Sequence, residues 1–163
     1  MPITVKSIDG TTKVVAIKEK KAGYKPKSKS DKWATPRDLY DPLDDEFDFN
    51  YDPCPIDWKV GDPDGLTTDW GTRTFCNPPY SIVAKFIKKA HDEWKKGKTV
   101  VMLINVITDT AAFHDYIYGN AELRFIRRRV KFIDTANPGK KTGSAPVGSM
   151  LCIFRAESLP ALG

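Results

Sequence analysis

Apolar positions along the chain follow three patterns, and each predicts a different element. From Ile82 to Trp94, the residues Ile82, Val83, Phe86, Ile87, Ala90 and Trp94 recur at helical spacing, while Lys85, Lys88, Lys89, Lys95 and Lys96 lie toward the other side. That stripe predicts an amphipathic helix, with Gly97 placed to end it as a C′ residue. Thr99 to Ile104 is continuously apolar, as expected of a strand buried on both faces. Thr74-Phe75-Cys76 is short and β-prone, so strand, helix and strand follow one another as a βαβ unit. Phe47 to Asp52 alternates aromatic and polar residues and predicts a further strand. Before it, Thr35 is placed to act as N-cap and Pro36 as first helical residue of a short helix from Arg37 to Leu43. After the βαβ unit, Thr108 to Phe113 predicts a capped helix that takes in His114. Glu122 to Phe132 alternates in part, Asn137 to Gly143 is a polar loop, and Ala145 to Arg155 closes the sheet through Leu151-Cys152-Ile153-Phe154, antiparallel beside its neighbour.

The two ends of the chain differ from this middle. Two β-prone runs flank Asp9-Gly10 within residues 1–17, the pattern of a small hairpin with a two-residue turn. Lys18 to Lys32 holds seven lysines against two acids, together with Gly23, Pro26 and two serines, and buries too little apolar surface to order itself. It reads as a basic linker, either a phosphate-tracking arm or a solubilising tether. Residues 33–155 form the main domain and 156–163 a tail. At 163 residues, 40% hydrophobic, the chain fits one domain with one core.

Charge changes the picture through its distribution. The net charge of +5 permits a polyanionic partner without establishing one. Between Asp38 and Asp69, however, eleven acids stand against Lys59 alone, whereas Arg124, Arg127, Arg128, Arg129 and Lys131 crowd into eleven residues. An acidic pocket suits a cationic ligand, and a basic edge suits phosphates. The three cysteines show no C-x-x-C spacing, so neither a disulfide framework nor a zinc site is expected. Neither His91 nor His114 has a partner at metal-ligand spacing, and no metal is expected. With no long apolar run and no signal-peptide core, a cytoplasmic protein without membrane association is expected.

The chemistry centres on Asn77-Pro78-Pro79-Tyr80, between the short strand and the amphipathic helix. The carboxyl end of a strand is where open α/β sheets bind ligands. The two prolines fix φ and lack N–H donors, so the elbow is stiff and rich in acceptors. The Asn77 side-chain carbonyl and the Pro78 backbone carbonyl, beside the flat ring of Tyr80, suit a planar amine such as N6 of adenine. Accepting both N–H bonds draws the nitrogen toward a tetrahedral geometry in which its lone pair can attack. No metal and no strong base is needed for that step.

The wider pattern, Trp33-Ala34-Thr35-Pro36, Glu46-Phe47-Asp48-Phe49, Asp52-Pro53-Cys54, Gly65 to Trp70, Asn77 to Tyr80, Phe125 to Phe132 and Ser149-Met150-Leu151, resembles the phage-type DNA N-6-adenine methyltransferase (Dam) family across roughly residues 33–155. The resemblance implies S-adenosylmethionine as cofactor, DNA as partner, and a reduced Rossmann-like methyltransferase sheet, mostly parallel with an antiparallel strand near the C-terminus. It also implies catalysis by Asn77, Pro78, Pro79 and Tyr80 on a flipped-out base. Cofactor contacts are expected at Thr35, Pro36, Asp52, Pro53, Cys54, Asp69 and Trp70, and phosphate contacts at Arg124, Arg127, Arg128, Arg129 and Lys131. Arg129 or Phe132 is expected to support the pocket. The chain departs from the pattern after Asp52-Pro53, where no G-x-G follows. Only twenty-two residues separate Cys54 from Asn77, too few for the two further βα units of an ordinary methyltransferase. Asp57, Trp58, Asp62 and Asp64 lie in that loop as candidates for a replacement ribose contact. The same motif also serves other amines, such as cytosine N4, RNA adenine or protein glutamine. A non-catalytic DNA-binding protein on this fold, or a basic module in which the elbow is incidental, are the rival readings, and the small size is compatible with a homodimer or a helper subunit.

Overall fold

A computed structural model describes residues 3–6, 12–15, 33–135 and 144–159. The predicted Asp9-Gly10 turn, the basic linker, the polar loop Asn137 to Gly143 and the last four residues lie outside the described residues. Strands β1 (Ile3–Lys6) and β2 (Thr12–Val15) pair antiparallel, Ile3 opposite Val15. The main domain is mixed α/β. Its elements in chain order are β3 (Trp33–Ala34), α1 (Arg37–Phe47), β4 (Arg73–Cys76), α2 (Val83–Lys95), β5 (Thr99–Asn105), β6 (Glu122–Phe125), β7 (Ile133–Asp134) and β8 (Ser149–Phe154).

Four of these strands form one mixed sheet in the order β4-β5-β8-β6. β4 runs parallel to β5, and β8 runs antiparallel to both β5 and β6, so three strands share a direction and β8 alone is reversed. Both faces are covered, which explains the unbroken apolar runs of β5 and β8. On one face, Phe86, Ile87, Ala90 and Trp94 of α2 pack on Val100, Met102, Ile104, Cys152 and Phe154. On the other, Leu43 and Phe47 of α1 pack on Val101, Leu103, Leu151 and Ile153, with Val130 and Phe132. Helix α2 ends at Gly97, whose φ of 87° is left-handed and whose N–H bonds the Trp94 carbonyl at 2.8 Å, as the sequence predicts.

The stretch before β4 departs from expectation. Helix α1 runs through Pro42 to Phe47, one turn past the predicted end at Leu43. Pro42 cannot donate the bond to Asp38, but Leu43 and Phe47, one turn apart, are both buried in the core, and that burial outweighs one missing bond. The helix stops at Asp48, left-handed at φ 50°, and Asp44 Oδ1 accepts the Phe49 N–H at 3.0 Å. The predicted strand Phe47 to Asp52 therefore shrinks to a parallel bridge between Tyr51 and Thr74, held by Asn50 N–H to the Arg73 carbonyl (2.8 Å) and Phe75 N–H to the Tyr51 carbonyl (3.1 Å). The aromatic alternation arises instead from Phe47 and Phe49 stacking across the end of the helix, centroids 5.8 Å apart.

Three boundaries shift as well. Pro36, not Thr35, is the N-cap of α1. The predicted helix after Thr108 is only a turn entering a π-helical segment, Phe113–Ile117, with the Thr110 hydroxyl accepting the Phe113 N–H at 3.3 Å. The partial alternation from Glu122 to Phe132 forms a strand only as far as Phe125, and the backbone bends beyond it at Arg128, where φ is 71°. Among the described residues no helix is long and apolar enough to cross a membrane.

Candidate active site

The carboxyl end of β4 leads through Asn77, Pro78 and Pro79 into a single 3₁₀ turn, Tyr80–Ile82, before α2 begins. Pro78 is buried, and the Pro79 carbonyl accepts the Ile82 N–H at 3.2 Å. The Asn77 amide is anchored from the other side of the crevice. Its Nδ2 donates to the Trp33 carbonyl at 3.0 Å and to the Thr35 hydroxyl at 3.3 Å. A backbone carbonyl only accepts, so the nitrogen must face Trp33 and the side-chain oxygen is turned the other way. Thr35 thus orients Asn77 rather than capping α1.

Residues 33–35 are in place because β3 pairs antiparallel with β7, Trp33 opposite Asp134 and Ala34 opposite Ile133. Two cavities of about 320 Å³ each meet at Asn77, and both are also lined by Trp33, Cys54 and Ile56. The first is mainly apolar, walled by Pro53, Trp58, Leu66, Pro79, Ile82 and Phe86. The second is polar, with Thr35, Arg37, Tyr40 and Asp52 around it. Together they form one crevice with an apolar and a charged half, within the size range of small-molecule sites.

Asp52 is the most perturbed acid of the crevice. Part of its surface is open, yet the surrounding protein strips water from the carboxyl and pushes its pKa up to about 6; Asp57 adds to the rise and the Cys54 N–H, 2.8 Å from Oδ1, opposes it. Burial also raises Tyr80, to about 12. Tyr80 packs edge-on against Phe132 at 6.4 Å and lines neither cavity. Cys54 Sγ lies 3.9 Å from Cys76 Sγ, and burial, then Cys54, holds the Cys76 thiol above its ordinary range.

The loop from Pro55 to Leu66 closes the apolar half without a G-x-G turn. Gly65 is the position that permits this, since a Cβ there would lie 2.2 Å from the Pro53 carbonyl oxygen. The Gly65 carbonyl is fixed from behind by Trp70 Nε1 at 2.6 Å. Asp69 and Trp70, expected as cofactor contacts, do not line the crevice. Trp70 is 3% exposed and its indole N–H is already used, while Asp69 pairs with Lys96 and Lys98. Pro36 also stands outside the lining. Of the loop candidates, Trp58 and Asp64 line the apolar half, but Asp64 Oδ1 accepts the Leu66 N–H at 2.9 Å; Asp57 and Asp62 do not reach it.

The basic cluster divides. Arg124 points across the sheet face to Glu46, bonded to both carboxylate oxygens at 2.6 and 2.7 Å, and to Glu122 at 2.6 Å. Its charge is paired within the fold. Arg127, Arg128, Arg129 and Lys131 are exposed beyond the end of β6, in the segment that joins Phe125 to Phe132 beside Tyr80. Arg37, Tyr40, Ile82 and Phe86 were given no role from sequence. The latter two belong to the apolar stripe of α2, and nothing in that periodicity separates a core position from a cavity wall.

A family model described as DNA N-6-adenine-methyltransferase (Dam) matches residues 23–161 of the chain. No curated relative and no solved structure matches it.

Proposed function

Because the chain belongs to the DNA N-6-adenine-methyltransferase (Dam) family, and so transfers a methyl group from S-adenosylmethionine to N6 of adenine in DNA, we propose that the Asn77–Tyr80 elbow and the two-halved crevice beside it are where the transfer occurs. The observation that carries this is the anchored Asn77 amide, which leaves its carbonyl as a fixed acceptor where both halves of the crevice meet.

The crevice fits the cofactor in chemistry as well as size. An apolar half suits the adenine ring, and a half bearing Asp52, Arg37, Thr35 and Tyr40 suits a charged amino-acid end. Desolvation, with Asp57 nearby, raises the pKa of Asp52, and a cationic ligand would favour its charged form. The cofactor supplies an electrophilic methyl on a positively charged sulfur. Asn77 Oδ1 and the Pro78 carbonyl accept the two N–H bonds of the target amine, concentrating its lone pair on nitrogen. Tyr80, with Phe132 at its edge, supplies an aromatic wall for the flipped base. The elbow reaches this arrangement with little reorganisation because two prolines and the Trp33 anchor hold it beforehand. The exposed Arg127, Arg128, Arg129 and Lys131 bind phosphates on the same side.

The strand arrangement supports a reduced Rossmann-like sheet over residues 33–155: three strands share one direction, β8 is reversed, and Tyr51 joins the edge by one bridge where a full strand is expected. The test is methyl transfer to unmethylated DNA with nucleoside analysis. Asn77→Ala is expected to lower the rate by about a hundredfold or more, while cofactor binding by calorimetry falls far less. An Asn77→Ala variant as active as the wild type would remove the elbow from the mechanism.

A further inference from the structure

We propose that Arg37 binds the α-carboxylate of the cofactor's methionine end, and that the polar half of the crevice thereby selects ligands with an intact amino-acid tail; this rests on the cofactor reading given above. The methionine end is a zwitterion, so a site for it needs one group of each sign. Among the described residues, the polar half is lined by one carboxylate, Asp52, and one cation, Arg37, and no other cation lines either half. Asp52 is the partner for the ammonium. Its Oδ1 is held by the Cys54 N–H, which fixes the direction of the carboxylate. That leaves Arg37 for the carboxylate end, and a guanidinium's planar fork matches a carboxylate in two parallel bonds.

Arg37 is also available. Its recorded ion pair, Nε to Asp41 Oδ1 at 3.1 Å, spans one exposed helical turn with side chains 81% and 51% accessible, and such pairs hold their partners weakly. Its backbone is not available for drift. Arg37 is the first residue of α1, directly after Pro36 and two residues from Thr35, which bonds Asn77. The group reading the tail and the amide orienting the target amine therefore hang from one strap, residues 33–37.

Calorimetric titration of the full chain with S-adenosylhomocysteine and with 5′-methylthioadenosine, which lacks the amino-acid end, separates the contributions. The wild type is expected to bind S-adenosylhomocysteine more tightly. Arg37→Ala should weaken that binding by at least about tenfold, leave 5′-methylthioadenosine within about twofold, and leave the thermal midpoint unchanged; Arg37→Lys should recover part of the loss. Unchanged S-adenosylhomocysteine affinity in Arg37→Ala, or an equal loss for both ligands, overturns the proposal. Ile82→Trp, which fills the apolar half, serves as the control on the underlying reading and should abolish binding of both ligands. If both still bind that variant normally, the crevice is not the cofactor site, and the role of Arg37 falls with it.

Discussion

Asp52 holds its proton more tightly in the folded protein than in the unfolded chain, since its folded pKa is about 6. Between roughly pH 4 and pH 6 the native state therefore binds more protons than the unfolded one, and folding stability contributed by this group falls as pH rises through that window. Asp52→Asn is expected to raise the thermal midpoint at pH 7.5 by roughly 1–3 °C, a small gain because the residue is partly open to water. Cofactor affinity should move the other way. It should weaken in the wild type as pH drops through about 6 and lose that dependence in Asp52→Asn, both readable by calorimetry across a pH series. A residue whose replacement stabilises the fold and harms binding is one kept for its chemistry. Gly65 is the opposite case. A methyl group there collides with the Pro53 carbonyl, so Gly65→Ala should cost about 1–3 kcal/mol by urea denaturation and lower cofactor affinity by displacing the wall of the apolar half.

At the scale of elements, α2 is tied to the loop before β4 by a carboxylate with no exposed surface. Glu93 is well inside the fold, and burial alone would raise its pKa; Lys89, Lys96 and Lys98, with the Trp70 N–H, reverse this and hold it at about 2. Glu93→Ala leaves Lys89 without its ion-pair partner and Lys96 and Lys98 to pair with Asp69 alone, around a cavity, and should cost about 3 kcal/mol, measured by denaturation at neutral pH. That network also explains why Asp69 and Trp70 stand outside the crevice lining. Their order in the chain fits a cofactor contact, but only tertiary structure shows that lysines on and after α2 claim the carboxylate and that Gly65 claims the indole. What was legible was local. The period of α2, the apolar run of β5, the reversed β8 and the proline elbow each follow from a few adjacent residues. The extension of α1 through Pro42 was not, because it depends on where Leu43 and Phe47 find a core. Arg37 was equally hidden, since a single arginine after Thr-Pro looks like helix surface until Asp52 is seen across the cavity.

For the molecule as a whole, the charge asymmetry read from sequence becomes a geometry. The acidic stretch supplies α1 and the crevice, while four exposed cations follow β6 on the same end of the sheet as the elbow. Replacing Arg127 and Arg128 by alanine should weaken binding to DNA of any sequence and reduce the slope of log affinity against log salt by about 2. Methylthioadenosine and S-adenosylhomocysteine affinities should stay unchanged. A salt slope equal to that of the wild type would place the DNA path elsewhere.

The two-residue ladder between β3 and β7 has a mechanical meaning. Ile133 and Asp134 lie just past the basic segment, and their partners Trp33 and Ala34 carry the carbonyl that fixes Asn77. If the basic segment grips phosphates as proposed, tension on it has a short covalent and hydrogen-bonded route to the Asn77 amide. On that proposal the grip on the duplex and the aim of the amide carbonyl are two ends of one lever, whose fulcrum is four residues wide.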